Sequence, residues 1–258
     1  MPVHPTAIVD PNARIADTAD IGPYSIIGSE VEIGAGTRLM AHVFIEGPTR
    51  IGEDNIFFPY SSVGVASQDL KYRGERAETR IGSRNKIREF VTIHRGTEGG
   101  GLVTTVGDDN LLMAYVHVAH DVQVGNHVVL ANAVTLGGHV VIGDWAVIGA
   151  STGVHQYCRV GRHSIIGGYS VVTQDVLPYS STVSERAIKV FGANKTGLGR
   201  RGFEHDSIEH LQTALRLLTR AGLNTTQAVA RIRAEVPACA AVEEILQFIS
   251  DSQRGVIK

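Results

Sequence analysis

The segment HVAHDV, residues 117–122, sets His117, His120 and Asp121 inside a stretch otherwise rich in Val, Leu, Ala and Gly. A neutral imidazole titrating near pH 7 is the usual general base for a hydroxyl or amine nucleophile, and a neighbouring carboxylate fixes its tautomer and stabilises the imidazolium that forms. Two more histidines follow, His139 in LGGH and His155 in VHQYC. Gly138, just before His139, has no side chain to cover its amide, so that N–H is a candidate donor to a developing oxyanion. No Gly-x-Ser-x-Gly elbow, P-loop or CxxC pair accompanies these residues. Direct acyl transfer without a covalent acyl-enzyme is the chemistry that such a set fits.

A strict repeat must position them. Every sixth residue from Val3 is apolar, through Val9, Ile15, Ile21, Ile27, Ile33, Leu39, Ile45, Ile51, Phe57 and Val63, and the register resumes at Ile81 and again from Val106 to Val172. A helix turning every 3.6 residues cannot keep one face apolar at period six, whereas a chain that turns a corner every six residues can. The expected fold is therefore an all-β solenoid, a three-sided parallel β-helix of hexapeptide repeats over residues 1–182. Gly follows the apolar residue at Gly22, Gly34, Gly52, Gly125, Gly143 and elsewhere, which reads as a demand for permissive backbone angles at corners. Cys158 occupies a slot otherwise filled by Ala, Ser, Thr, Asn or Val, and is read as interior filler.

With three hexads to a coil, residues 18 apart share a face. The hexads from Val118, Leu136 and Val154 then form a column that carries His120, His139 and His155, expected to climb one edge within about 10 Å at a strand spacing of about 4.8 Å. His94 lies one coil earlier and His117 at the adjoining corner. Two interruptions, residues 66–79 and 95–105, leave at that same corner, and long insertions in a solenoid are usually binding loops. The first contains Gln68, Asp69 and Lys71 in QDLKY. His127, Trp145 and His163 form a second column, with no insertion beside it, and are read as structural.

Beyond Leu177-Pro178 the six-period stops, and residues 183–258 are expected to form a C-terminal α-helical domain covering the end of the solenoid. Asp206 with Glu209, and Asn224 with Gln227, offer helix caps. His205 and His210 are read as solvated helix positions. The formal net charge of -2 gives no reason to expect nucleic acid. With two separated cysteines and no signal peptide or transmembrane segment in the pattern, the expected location is cytoplasmic.

SQDLKY (67–72), TIHRGT (92–97), NLLMAYVHVAHD (110–121), GGHV (137–140), VHQYC (154–158) and GRRGF (199–203), set on a hexapeptide solenoid with a helical tail, resemble the UDP-N-acetylglucosamine O-acyltransferase family over nearly the whole chain. The resemblance implies left-handed coiling and a homotrimer with sites between subunits. It also implies transfer of a 3-hydroxyacyl chain from acyl carrier protein to the 3-hydroxyl of UDP-N-acetylglucosamine, the first step of lipid A synthesis. By matching motifs it implies His120 as base, Asp121 as its assistant and Gly138 as oxyanion donor. Gln68, Asp69, Lys71, His117, His139, His155 and Gln156 would hold the sugar nucleotide or acyl group. Asn194, Arg200 and Arg201 would bind the nucleotide phosphates, and the arginines, with Arg159 and Arg162, would meet the acidic carrier protein. Gly168 matches the position limiting acyl length. No cofactor or metal is implied, the acyl group arriving on the carrier's phosphopantetheine.

SERA at 184–187 and Thr196 depart from the family pattern near the nucleotide end. Four alternatives stay open: the same transfer to the 3-amino group of a UDP-diamino sugar, a three-histidine zinc site of the carbonic anhydrase type, the N-acyltransferase acting later in the pathway, and a non-enzymatic scaffold. That N-acyltransferase carries an additional N-terminal domain, whereas here the repeat starts at Val3.

Overall fold

The computed structural model describes residues 3–184, 188–220 and 222–258; residues 185–187 of the SERA segment lie outside them. Each short strand pairs in parallel with the strand three along, so that Ile8 meets Ile26, His117 meets Thr135 and Thr135 meets Gly153. Three sheets result, and the chain is the expected left-handed parallel β-helix with a short helical tail. The six-period residues fill the prism: Ile21, Ile45, Phe57, Leu112, Val118 and Leu136 are fully buried. Cys158 is buried among them.

The corner geometry differs from the expectation for glycine. Gly22, Gly34, Gly52 and Gly125 do not have positive φ; the left-handed conformation falls instead two places further on, on the non-glycine residues Tyr24, Asp54 and His127 and, after Gly34, on Gly36. What excludes side chains at the glycines is the next coil, since a Cβ on Gly22 would lie 2.5 Å from the Met40 carbonyl oxygen and one on Gly34 2.5 Å from that of Gly52. A left-handed non-glycine residue costs about 1 kcal/mol, and the ladder hydrogen bonds between coils hold each one in place. Its side chain stands at the corner above its counterpart, which is why Tyr24, His42, Tyr60, Phe90 and Tyr115 stack with ring centroids 4.9–5.1 Å apart.

Both insertions leave from one sheet, after strands Ser62–Val65 and Thr92–His94, as the hexad count predicts. They are shorter than 66–79 and 95–105, because Glu78–Ile81 and Val103–Val106 already pair as strands. The break drawn at 182 also moves. Ser180–Ser184 continues one sheet and Ile188–Ala193 pairs with it antiparallel, because backbone pairing outlasts the apolar six-period.

The helices are α1 (Lys195–Arg200), α2 (His205–Arg220), α3 (Thr225–Glu235) and α4 (Ala240–Asp251). Asn224 and Gln227 form the expected capping box. Asp206 does not cap, since α2 already begins at His205 and Asp206 sits in its first turn. His205 is exposed as expected, whereas His210 is half-buried with its Nδ1 shielded and unpartnered. No helix among the described residues is long and apolar enough to cross a membrane.

Asp175 fastens the tail to the last coil. Its buried carboxylate accepts from the Arg159 amide at 2.8 Å, Arg159 Nε at 3.0 Å and the Ser252 hydroxyl at 2.9 Å, while the Ile257 amide donates to its carbonyl at 3.0 Å. Removing one member of such a pair leaves the other poorly compensated. Asp175→Ala is expected to lower unfolding free energy by about 2–3 kcal/mol and to speed amide exchange in residues 252–257, read by denaturant titration and hydrogen exchange.

Candidate active site

Three positions of the hexad cross the corner next to the insertions, and each makes its own column. Ala119, Gly137 and His155 form the first, His120, Gly138 and Gln156 the second, and Asp121, His139 and Tyr157 the third. The third is the left-handed position, with φ of 60°, 62° and 65°. His139 therefore stacks on Tyr157, centroids 4.4 Å apart and nearly coplanar, while its edge meets the His120 ring at 5.1 Å. The expected grouping of His120 with His139 holds, but His155 stands aside. It is exposed, with Nδ1 3.1 Å from the Gln156 carbonyl, because it sits one residue earlier in its hexad than His120.

His120 lies over Gly138, and a Cβ there would stand 2.5 Å from the ring. Its Nδ1 is 2.8 Å from Asp121 Oδ2. An ionised carboxylate only accepts, so Nδ1 carries the proton and Nε2 is the free lone pair. Nε2 points toward Asp69, whose nearer carboxylate oxygen is 4.0 Å away, a gap that a hydroxyl group can bridge. The Gly138 amide makes no hydrogen bond among the described residues.

A cleft of about 560 Å³ opens above this pair, lined by Gln68, Asp69, Leu70 and Lys71 of the first insertion and by His94, His117, Ala119, His120, His139, Gln156 and Tyr157 of the coils. His117 is not at a corner but in the strand His117–Val118, facing outward, with Nδ1 2.7 Å from the Thr92 hydroxyl and its ring edge-on to His94. Burial pushes His94 down to about 4, with further depression from His117 and His120. Burial also lowers His117, ahead of repulsion from His120, and lowers His139 despite the attraction of Asp121. The imidazoles around His120 therefore stay neutral at pH 7. The backbone amide of Lys71 holds Asp69 below the usual carboxylate range.

The remaining candidates lie at other corners. Asn194 is buried and committed at both ends, accepting from the Gly197 amide and donating to the His163 carbonyl, so it caps α1. Arg201 packs over Trp145, beside His163, in the column read as structural; Arg200 is exposed next to it. Arg159 and Arg162 are drawn inward, to Asp175 and Phe248 and toward Glu244. Gly168 is exposed at a third corner. Leu70 and Tyr157 line the cleft without having been singled out; the left-handed hexad position was the available signal for Tyr157.

The profile described as UDP-N-acetylglucosamine O-acyltransferase, domain 2, matches residues 175–257, and that of the bacterial transferase hexapeptide (six repeats) matches residues 104–138. The chain is 46% identical over 258 residues, 100% of both chains, to the acyl-[acyl-carrier-protein]–UDP-N-acetylglucosamine O-acyltransferase of Syntrophobacter fumaroxidans. It belongs to the UDP-N-acetylglucosamine O-acyltransferase family. Among solved structures, LpxA from Acinetobacter baumannii superposes with a TM-score of 0.96 at 41% identity, covering 100% of both chains. LpxA from Bacteroides fragilis gives 0.97 at 40% identity, covering 99% of this chain and 100% of that one.

Within this O-acyltransferase fold, His120, Asp121 and His139 bring possible metal-ligand atoms within 4.8 Å of one another. Asp121 Oδ2 is already engaged by His120 N–H, and His139 Nδ1 is 3.9 Å from it. A cation there would have to displace the hydrogen bond that sets the tautomer of His120.

Two outcomes follow from these contacts. Gly138→Ala is expected to turn the His120 ring aside and cut turnover about 100-fold or more, the general-base range, with an unchanged circular dichroism spectrum. His94 and His163 are both pushed from 6.5 to about 4 by burial. The unfolded chain takes up these protons first, so stability falls as pH drops from about 6.5 toward 4. His94→Gln should remove on the order of 2 kcal/mol of that loss, read from guanidinium unfolding at pH 7 and 4.5.

Proposed function

We propose that this chain transfers a 3-hydroxyacyl group from the phosphopantetheine thioester of acyl carrier protein to the 3-hydroxyl of UDP-N-acetylglucosamine, opening lipid A synthesis. The observation that carries the reading is the His120–Asp121 hydrogen bond of 2.8 Å, with the opposite ring nitrogen open to the cleft above the Gly138 amide, unpaired among the described residues. The relatives' names supply the donor and acceptor.

His120 Nε2 takes the proton of the sugar hydroxyl as its oxygen attacks the thioester carbonyl, and Asp121 stabilises the imidazolium formed. The Gly138 amide donates to the tetrahedral oxyanion. When the intermediate collapses, the C–S bond breaks and His120 returns the proton to the thiolate. Asp69 and Lys71 orient the sugar, with Gln68, His117, His139 and Gln156 completing the walls. Every proton moves between side chain and substrate, so the reaction takes no metal or cofactor on this reading.

Arg200 and Arg201 sit at a different corner from His120, and a phosphate held by them would have to reach this cleft from a neighbouring copy. That supports a homotrimer with sites between subunits, where His155, exposed beside the cleft, also has room to meet substrate. Gly168 presents no side chain, which leaves space for a long acyl tail.

The test presents carrier-bound 3-hydroxyacyl chains of several lengths to UDP-N-acetylglucosamine and to its 3-amino counterpart, with products identified by mass. Acylation of the 3-hydroxyl sugar is expected. His120→Ala should lower kcat by about 1,000-fold or more with fold and assembly intact; near-normal turnover in that variant removes the base assignment.

A further inference from the structure

Thr97, in the second insertion, has no part in the reaction as written above, yet it is built into the catalytic pair. Its amide donates to Asp121 Oδ1 at 2.8 Å and its hydroxyl to Oδ2 at 2.6 Å, the same oxygen that accepts the His120 N–H. Thr97 is 5% exposed and the Asp121 side chain 0%, so no solvent substitutes for these donors. Asp121 presents only acceptors, and a buried acceptor left unmet is costly.

The backbone of the insertion is shaped to deliver these donors. A Cβ on Gly96 would meet the Val103 nitrogen at 2.2 Å and then Asp121 Oδ1 at 2.8 Å, and one on Gly100 would overlap the carboxyl group. Glycine at both places lets the main chain close directly over the carboxylate. The Gly100 and Leu102 amides both donate to the Thr97 carbonyl, at 3.1 and 2.9 Å, which ties the segment into a small ring around Thr97. From below, the Thr104 hydroxyl accepts the Asp121 amide at 2.8 Å.

We propose that Thr97 is a positioning residue of the acyl transfer, holding both carboxylate oxygens of Asp121 so that Oδ2 stays aimed at His120. This rests on His120 being the base. With a donor on each oxygen the carboxylate cannot turn away from the imidazole. The hydroxyl also shares the negative charge of Oδ2, so the imidazolium is stabilised enough to form but not so much that it keeps the proton needed by the leaving thiol.

Thr97→Val preserves shape and removes only the hydroxyl. We expect kcat to fall about 10- to 100-fold, the loss of one hydrogen bond to a charged group, with both KM values within about twofold. More charge then rests on Oδ2, His120 holds its proton to higher pH, and the acidic limb of the kcat/KM profile moves up by about half a unit or more. Thr97→Ser should restore kcat to within about threefold of the parent. If Thr97→Val does not fold, Thr97→Cys, with a weaker donor, must show the same upward movement to a smaller extent. Unchanged kcat, or a loss with an unmoved acidic limb, overturns the positioning role. His120→Ala in parallel separates the two ideas. An inactive His120→Ala beside a normal Thr97→Val sinks the role of Thr97 alone, and an active His120→Ala sinks both.

Discussion

Parallel pairing of each strand with the strand three along leaves no freedom in how one coil sits on the next. The Tyr157 amide donates to the Gly138 carbonyl at 3.0 Å and the His139 amide to the His120 carbonyl at 3.1 Å, so side chains at the corner are held at the ladder spacing. That register brings His139 edge-on to His120 and places Gly138, without a side chain, directly under the His120 ring. The proposed chemistry depends on rigid backbone spacing more than on any single contact between side chains. A slip of one residue would turn the whole set inward.

Register places His120, and burial tunes what surrounds it. Several imidazoles within one cleft would oppose one another if charged, and desolvation keeps His94, His117 and His139 neutral. The negative charge that faces His120 comes from Asp121, enclosed by the second insertion. Asp69, in the first insertion, is half-buried, lines the cleft and is kept ionised by the Lys71 amide, a state suited to accepting from a polar substrate. The two insertions thus divide the work between burying one carboxylate and presenting the other.

The coil architecture was open to reading because one apolar residue in six is a backbone-level signal, repeated too often to be disguised. The corner shared by both insertions followed from counting hexads. What escaped depended on the offset of a side chain within its hexad. His120, His139 and His155 occupy three different offsets, so the column that the count assigned to them is really Asp121, His139 and Tyr157. The glycines misled for a related reason, since steric exclusion by the next coil and a demand for positive φ leave the same residue in the sequence. Asn194, which the resemblance assigns to the phosphates, has a structural task that spacing could not reveal, since its side chain joins the His163 carbonyl of the last coil to the Gly197 amide of the adjoining helix. The handedness of coiling has no signature in residue spacing and came with the family.

A prism corner is convex, and a convex surface cannot enclose a substrate by itself. The first insertion supplies one wall of the cleft and the coils supply its floor, leaving Leu70 93% exposed at the rim. Desolvation strengthens the hydrogen bonds on which oxyanion stabilisation relies, so a cleft left open on one side would forfeit much of that advantage. The cationic residues beyond the solenoid, Arg200 and Arg201, stand at another corner of the same chain. In the proposed homotrimer, one corner of each copy would face a different corner of its neighbour, which would close the cleft and bring cations to it without any change of fold. On the proposed reading, the solenoid gains through assembly the concavity that its own cross-section denies it.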